Sequence, residues 1–150
     1  MTTTMTTQAT QVYCIAIKAT PEAIWEAITK PEFTHRYFYG ARIRVLPERY
    51  ESLGPDGSVW ADELVLEHDP PRRLVHGWRS LYDSRLADEY ASRVRWEIEP
   101  QERGYCTLTV THDRLEASPK TAASVAGIGW MTVLSGLKTL LETGEPMTTF

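Results

Sequence analysis

"GWMTVLSGLKTLLETG", residues 129–144, is the stretch whose reading decides the fold. Its apolar side chains recur at helical spacing: Trp130, Val133, Leu134, Leu137, Leu140 and Leu141. Just upstream, "KTAASVAGIG" (120–129) is built almost wholly of small residues. Together they predict one long helix from about Pro119 to Glu142, with Gly144 and Pro146 as stop signals. That helix is bulky along its second half and thin along its first. It needs a surface to lie on.

The preceding chain supplies the surface. From about Arg42 to His112 it reads almost wholly as strands: "ARIRVLP", a weak one over 49–53, "SVWADELVLEH", "RLVHGWRS", "YASRVRWEIE" and "YCTLTVTH". "GPDGS", "DPPR" and "PQERG" are short and rich in turn formers, which implies antiparallel hairpins. "SLYDSRLADE" reads as a longer polar loop. Ahead of these lies a further strand, "QVYCIAIKA" (11–19). Two short helices follow it. Thr20 is an N-cap with Pro21 at the first helical position, Ile24, Trp25 and Ile28 form an apolar face, and Pro31 breaks the run before "PEFTHRYF" restarts it. The class is α+β, an antiparallel sheet with one face covered by the C-terminal helix.

Strand parity then fixes what faces the helix. In "RVRWEIE" the inward set is Val94, Trp96 and Ile98, since the other set is charged. Cys106, Leu108, Val110 and His112 go inward in the next strand, with Ile98 expected opposite Cys106 and Ser92 opposite His112. In the earlier hairpin Leu64, Leu66, Leu74 and Trp78 are expected inward, pairing Leu66 with His76, Leu64 with Trp78, Asp62 with Ser80 and Trp60 with Tyr82. The inner face then has a dry middle and a polar, aromatic edge of Trp60, Asp62, Ser80, Tyr82, Ser92 and His112. The thin half of the helix, including Ala126, either leaves a gap over that edge or simply packs close to the sheet.

Composition narrows the function. The 150 residues fit one domain over 11–146, with 1–10 a polar, disordered tail. Sixteen Lys and Arg against twenty Asp and Glu, with no basic run, argue against nucleic acid. No apolar run reaches the roughly 18 residues of a membrane span, and no secretory signal opens the chain, so membrane insertion is not expected and the cytoplasm is. Cys14 and Cys106 have no metal-site spacing and read as two buried thiols. Neither a metal nor a cofactor is implied. His76 and Asp62 stand about 13 Å apart at about 3.4 Å per residue, which is no dyad. His68 lies at the far end of the strands from His112, and His35 reads as exposed. His112 beside Ser92 is the better polar cluster, either a ligand anchor or a partly solvated rim, and no residue is assigned a catalytic role.

Three stretches carry a family resemblance. "TPEAIWEAITKPEFTHRYFYG" resembles the opening signature of the START-like (SRPBCC) helix-grip superfamily, while "VLEHDPPRRLVHGWR" and "GWMTVLSGLKTLLETG" resemble its branch named after the heat-shock-protein-90 ATPase activator. The match runs from about 11 to 146. It implies a seven-stranded antiparallel sheet gripping the C-terminal helix, with a cavity between them. It also implies that Tyr37 and Phe38 sit at the cavity entrance. The expected ligand is a hydrophobic or amphipathic small molecule, lipid-, polyketide- or steroid-like. It is held by Tyr37, Phe38, Trp60, Trp78, Trp96, Ala126 and Trp130, with Asp62, Ser80 and His112 orienting its polar end. Two other readings stay open: a cyclase- or hydrolase-type enzyme using the polar cluster, and a co-chaperone-like module. The second is disfavoured because only a ten-residue tail precedes the first strand here, where the co-chaperone carries a further domain. The oligomeric state is not set, which leaves a homodimer open.

Overall fold

A computed structural model describes residues 9–150, so the expected tail over 1–10 lies mostly outside the described residues. Seven strands run in chain order: β1 (Gln11–Ile17), β2 (Arg42–Val45), β3 (Arg49–Leu53), β4 (Val59–Asp69), β5 (Arg73–Trp78), β6 (Ser92–Pro100) and β7 (Cys106–Asp113). They form one antiparallel sheet in the order β1-β7-β6-β5-β4-β3-β2. Two helices follow β1, α1 (Pro21–Thr29) and α2 (Pro31–Thr34). The Thr20 side chain caps α1 through the Ala23 amide, as its position before Pro21 predicts. This is the helix-grip arrangement that the resemblance implies.

The C-terminal helix departs from expectation. It is two helices, α4 (Pro119–Val125) and α5 (Ile128–Thr143), bent by 42°. The break falls where Ala126 turns extended and Gly127 takes φ 59°, ψ −110°, a backbone state that a side chain resists. The loop between β5 and β6 likewise holds a short helix, α3 (Ser84–Ala87), capped by Asp83. No single described helix is long and apolar enough to cross a membrane; α4 and α5 reach that length and composition only as a bent pair.

The bulky half of α5 seals the core over β1, β6 and β7. Leu137, Leu108 and Val94 are completely buried there, and Trp96 nearly so. Gly136 lets α5 approach Tyr37, whose Cβ would lie 3.1 Å from an added Cβ. At the β1 edge Lys138 Nζ donates to the Ala16 carbonyl at 2.6 Å, and the Glu142 carboxylate accepts from the Lys18 amide at 2.8 Å. The opposite edge is β2, four residues with exposed Arg42 and Arg44.

Two registers need correction. Ile98 pairs with Leu108, Trp96 with Val110 and Val94 with His112, a slip of two residues from the expected pairing. A slip of two keeps every side chain on its face, so the inward sets hold. In β4 the error reaches the faces themselves. Val65 pairs with His76, bulges interrupt β4 against both neighbours, and Leu64 and Leu66 are 57% and 53% exposed. Ala61 and Val65 take the inward places that the leucines were expected to fill. Cys14 is also exposed, on the outer face beside Thr109, whereas Cys106 is buried and its thiol is raised by that burial. Trp25 packs edge-on to His68, with ring centroids 5.3 Å apart.

Candidate functional site

Between the β2–β5 half of the sheet and the α4–α5 bend lies a cavity of about 330 Å³. Its floor comes from Ile43 of β2, Tyr50 and Ser52 of β3, Trp60 and Ala61 of β4, and Trp78 of β5; Val125, Gly129, Trp130 and Val133 form the roof. The hollow therefore sits under the thin residues of α4 and the start of α5. Phe38 closes one side, stacked on Trp78 with centroids 6.1 Å apart.

Local structure aims the indoles. Trp60 is skipped by the ladder between Ser52–Ala61 and Leu53–Val59, so this bulge residue and its neighbour Ala61 both line the cavity. Gly54 makes this feasible: a Cβ there would sit 2.3 Å from the Trp60 ring. Tyr82 packs against Trp60 at 5.5 Å, the neighbour that the sequence pairing expects. Trp78 Nε1 donates to Ser80 Oγ at 3.1 Å.

Behind the wall, the polar groups are closed on one another. Trp130 Nε1 donates to His112 Nδ1 at 3.2 Å. The Ser92 hydroxyl donates to the Trp78 carbonyl at 3.1 Å, so the 2.7 Å contact between His112 Nε2 and Ser92 Oγ is a donation from the imidazole. His76 repeats the pattern: Nδ1–H donates to the Gly77 carbonyl at 2.7 Å and Nε2 accepts from Trp96 Nε1 at 3.0 Å. Burial, the main cause in both, depresses His76 to about 4 and His112 to about 3, so each imidazole is neutral. Their hydrogen-bonding capacity is spent inside the protein.

Of the residues expected from sequence, Phe38, Trp60, Trp78, Ser80 and Trp130 line the cavity. Trp96 and His112 stand one ring behind it, 5.5 and 5.9 Å from Trp130. Tyr37 is buried and donates to the Ala27 carbonyl at 2.7 Å, so it belongs to the core under α1 rather than to an entrance. Ala126 stands in the helix break, outside the lining. Asp62 is on the outer face, paired with Arg49, because the β4 bulges reverse its expected side. The expected cluster of Asp62, Ser80, Ser92 and His112 is therefore not assembled. Among the described residues no three His, Cys, Asp or Glu side chains gather as metal ligands would.

The sequence reading missed Tyr50, Ser52 and Arg79. Tyr50 and Ser52 alternate with Arg49, Glu51 and Leu53, a parity signal in a strand too short and polar to attract notice. Both are buried, 2% and 5% exposed, and both line the cavity. Neither hydroxyl bonds to a described residue, and neither is sealed from the hollow. Burial alone raises the Tyr50 phenol, whose ring stacks on His76 at 3.8 Å. Arg79 is the one charged residue in the described lining. Its Nε lies 3.8 Å from the Glu63 carboxylate, beyond hydrogen-bond length, and Glu63 is pushed up by burial while Arg79 pulls it back.

The family described as "Activator of Hsp90 ATPase homolog 1-like protein" matches residues 18–142. No curated protein matches the chain significantly. Protein MLL2253 from Mesorhizobium loti is 23% identical, with TM-score 0.71 over 89% of this chain and 96% of that one. CalU16 from Micromonospora echinospora is 22% identical, with TM-score 0.68 over 91% of this chain and 76% of its own. The Aha1 dimer from Colwellia psychrerythraea, solved in solution, is 18% identical with TM-score 0.70, covering 91% and 98%. At such identities the likeness is one of fold.

Proposed function

This chain belongs to the family of activator of Hsp90 ATPase homolog 1-like proteins, and we propose that it binds a hydrophobic or amphipathic small molecule of lipid, polyketide or steroid type. The observation that carries this reading is the cavity of about 330 Å³ walled by three indoles. That volume is at the lower end of the roughly 300–1,000 Å³ range of small-molecule sites. Protein interiors otherwise fill such space. Affinity comes from apolar ligand surface removed from water, about 25 cal/mol per Å².

The polar cluster needed by a cyclase- or hydrolase-type enzyme is dispersed, so binding rather than turnover is the reading that the geometry supports. A thermal-shift screen over lipids, flavonoids, steroids and polyketides tests it, beside Ala61→Trp, which fills the hollow from its floor. A ligand at a hundred times its Kd raises stability by about 2.7 kcal/mol, and Ala61→Trp abolishes that rise. No shift with any class sinks the reading. A homodimer draws on a separate observation, the exposed Leu64 and Leu66; sedimentation of the wild type and of Leu66→Lys tests it, and two identical monomer profiles reject it.

A further inference from the structure

The cavity's polar groups are not a random scatter: they are weighted towards donors. Ser80 is 1% exposed, and its oxygen is occupied by Trp78 Nε1, which leaves its hydroxyl proton to give. Tyr50 and Ser52 add two more buried hydroxyls with no described protein partner. Arg79, its side chain 43% exposed, adds a guanidinium beside the hollow whose terminal nitrogens have no described hydrogen-bond acceptor; the Glu63 carboxylate lies 3.8 Å from its Nε. No carboxylate and no imidazole stands in the described lining to accept from any of them. Donors that a bound ligand covers are costly to leave unpaired. A ligand that satisfies them brings acceptors, while three indoles and Phe38 ask for flat rings.

We propose that the ligand is an aromatic organic acid: its rings lie among Trp60, Trp78 and Trp130, its carboxylate pairs with Arg79, and the hydroxyls of Tyr50, Ser52 and Ser80 donate to its oxygens. This rests on the ligand-binding reading above and selects within it, setting aside neutral lipids and sterols. The fork of a guanidinium accepts a carboxylate through two parallel hydrogen bonds, stronger and more directional than neutral ones. Glu63 is then a built-in competitor. Its half-engaged pairing keeps Arg79 near the cavity when empty and is displaced by a better-placed carboxylate.

The test is calorimetric titration of naphthoic acid and of its methyl ester, which share rings but not charge, against the wild type and Arg79→Gln. The acid binds the wild type at least about tenfold more tightly than the ester, in line with a charge-assisted pair. Arg79→Gln removes that preference. Equal affinities in the wild type overturn the inference, as does a preference that survives Arg79→Gln. If ester and acid bind alike, the cavity still binds ligands and only the charge selection is wrong. If neither binds, the inference falls, while the ligand-binding reading stands or falls on the thermal-shift screen. Should Arg79→Gln fail to fold, Glu63→Gln gives the opposite sign: acid binding tightens severalfold while ester binding stays, and no change is a refutation.

Discussion

The two halves of the sheet's inner face are made of similar residues and treat their polar groups in opposite ways. Over β5–β7, His76, His112 and Ser92 are buried with Trp96 and Trp130, and each nitrogen and hydroxyl has a partner. Over β3, Tyr50 and Ser52 are almost as deeply buried and have no described partner. One half has its polar chemistry satisfied by the fold. The other keeps it available. Burial alone does not separate core from site; hydrogen-bond satisfaction does.

The largest effect that would sharpen this contrast is acid sensitivity of the filled half. His76 and His112 titrate at about 4 and about 3 in the folded protein, against 6.5 for an unperturbed imidazole. Their folded values are depressed, so above pH about 6.5 both states are neutral and stability is flat. As pH falls towards the folded values, the unfolded chain binds protons that the folded one refuses, and stability is lost. Each unit of displacement is worth about 1.4 kcal/mol, so the loss is several kcal/mol before the carboxylates titrate. Urea denaturation across that window measures it; a flat profile from neutrality down to pH about 4 would mean that the imidazoles are not held neutral.

Next in size is Ser92→Ala. It strips the acceptor from His112 Nε2 and the donor from the Trp78 carbonyl, which costs about 1–3 kcal/mol in the midpoint of chemical denaturation. Smallest is Ser52→Ala. With no protein partner to lose, it changes stability by less than about 0.5 kcal/mol, while weakening any ligand that uses the hydroxyl. If the two serines cost the same, the division between the halves is wrong.

The sequence made the filled half legible because alternation in β6 and β7 is unambiguous: Val94, Trp96 and Ile98 against arginines and glutamate. Parity survives even a register slip of two. The hollow half was harder for three physical reasons. Bulges at Trp60 and beyond Val65 change which residues of β4 face inward, and leucines at 64 and 66 looked like core because only size and alternation were visible. Small residues at 122–129 announced thin packing, but Gly127, which a helix interior tolerates at about 1 kcal/mol, marks a break that periodicity alone does not distinguish from a weak turn. The donors of β3 lay in a strand of five residues. The small residues of "KTAASVAGIG" left two readings open, a gap or close packing, and the family resemblance rather than the stretch itself favoured the gap; Ala126 stands outside the lining.

An open sheet of seven strands has two unpaired edges, and each edge is a template on which another chain can stack. Here the β1 edge is fastened by side chains of α5, Lys138 on the Ala16 carbonyl and Glu142 on the Lys18 amide. The β2 edge is four residues long and bears two exposed arginines. Edge addition is thereby hindered at one side by occupation of the C-terminal end of β1 and at the other by shortness and charge. The fastening that seats the helix also guards the protein against polymerising, so Lys138→Ala would be expected to show itself first in the lag time of aggregation rather than in any binding measurement.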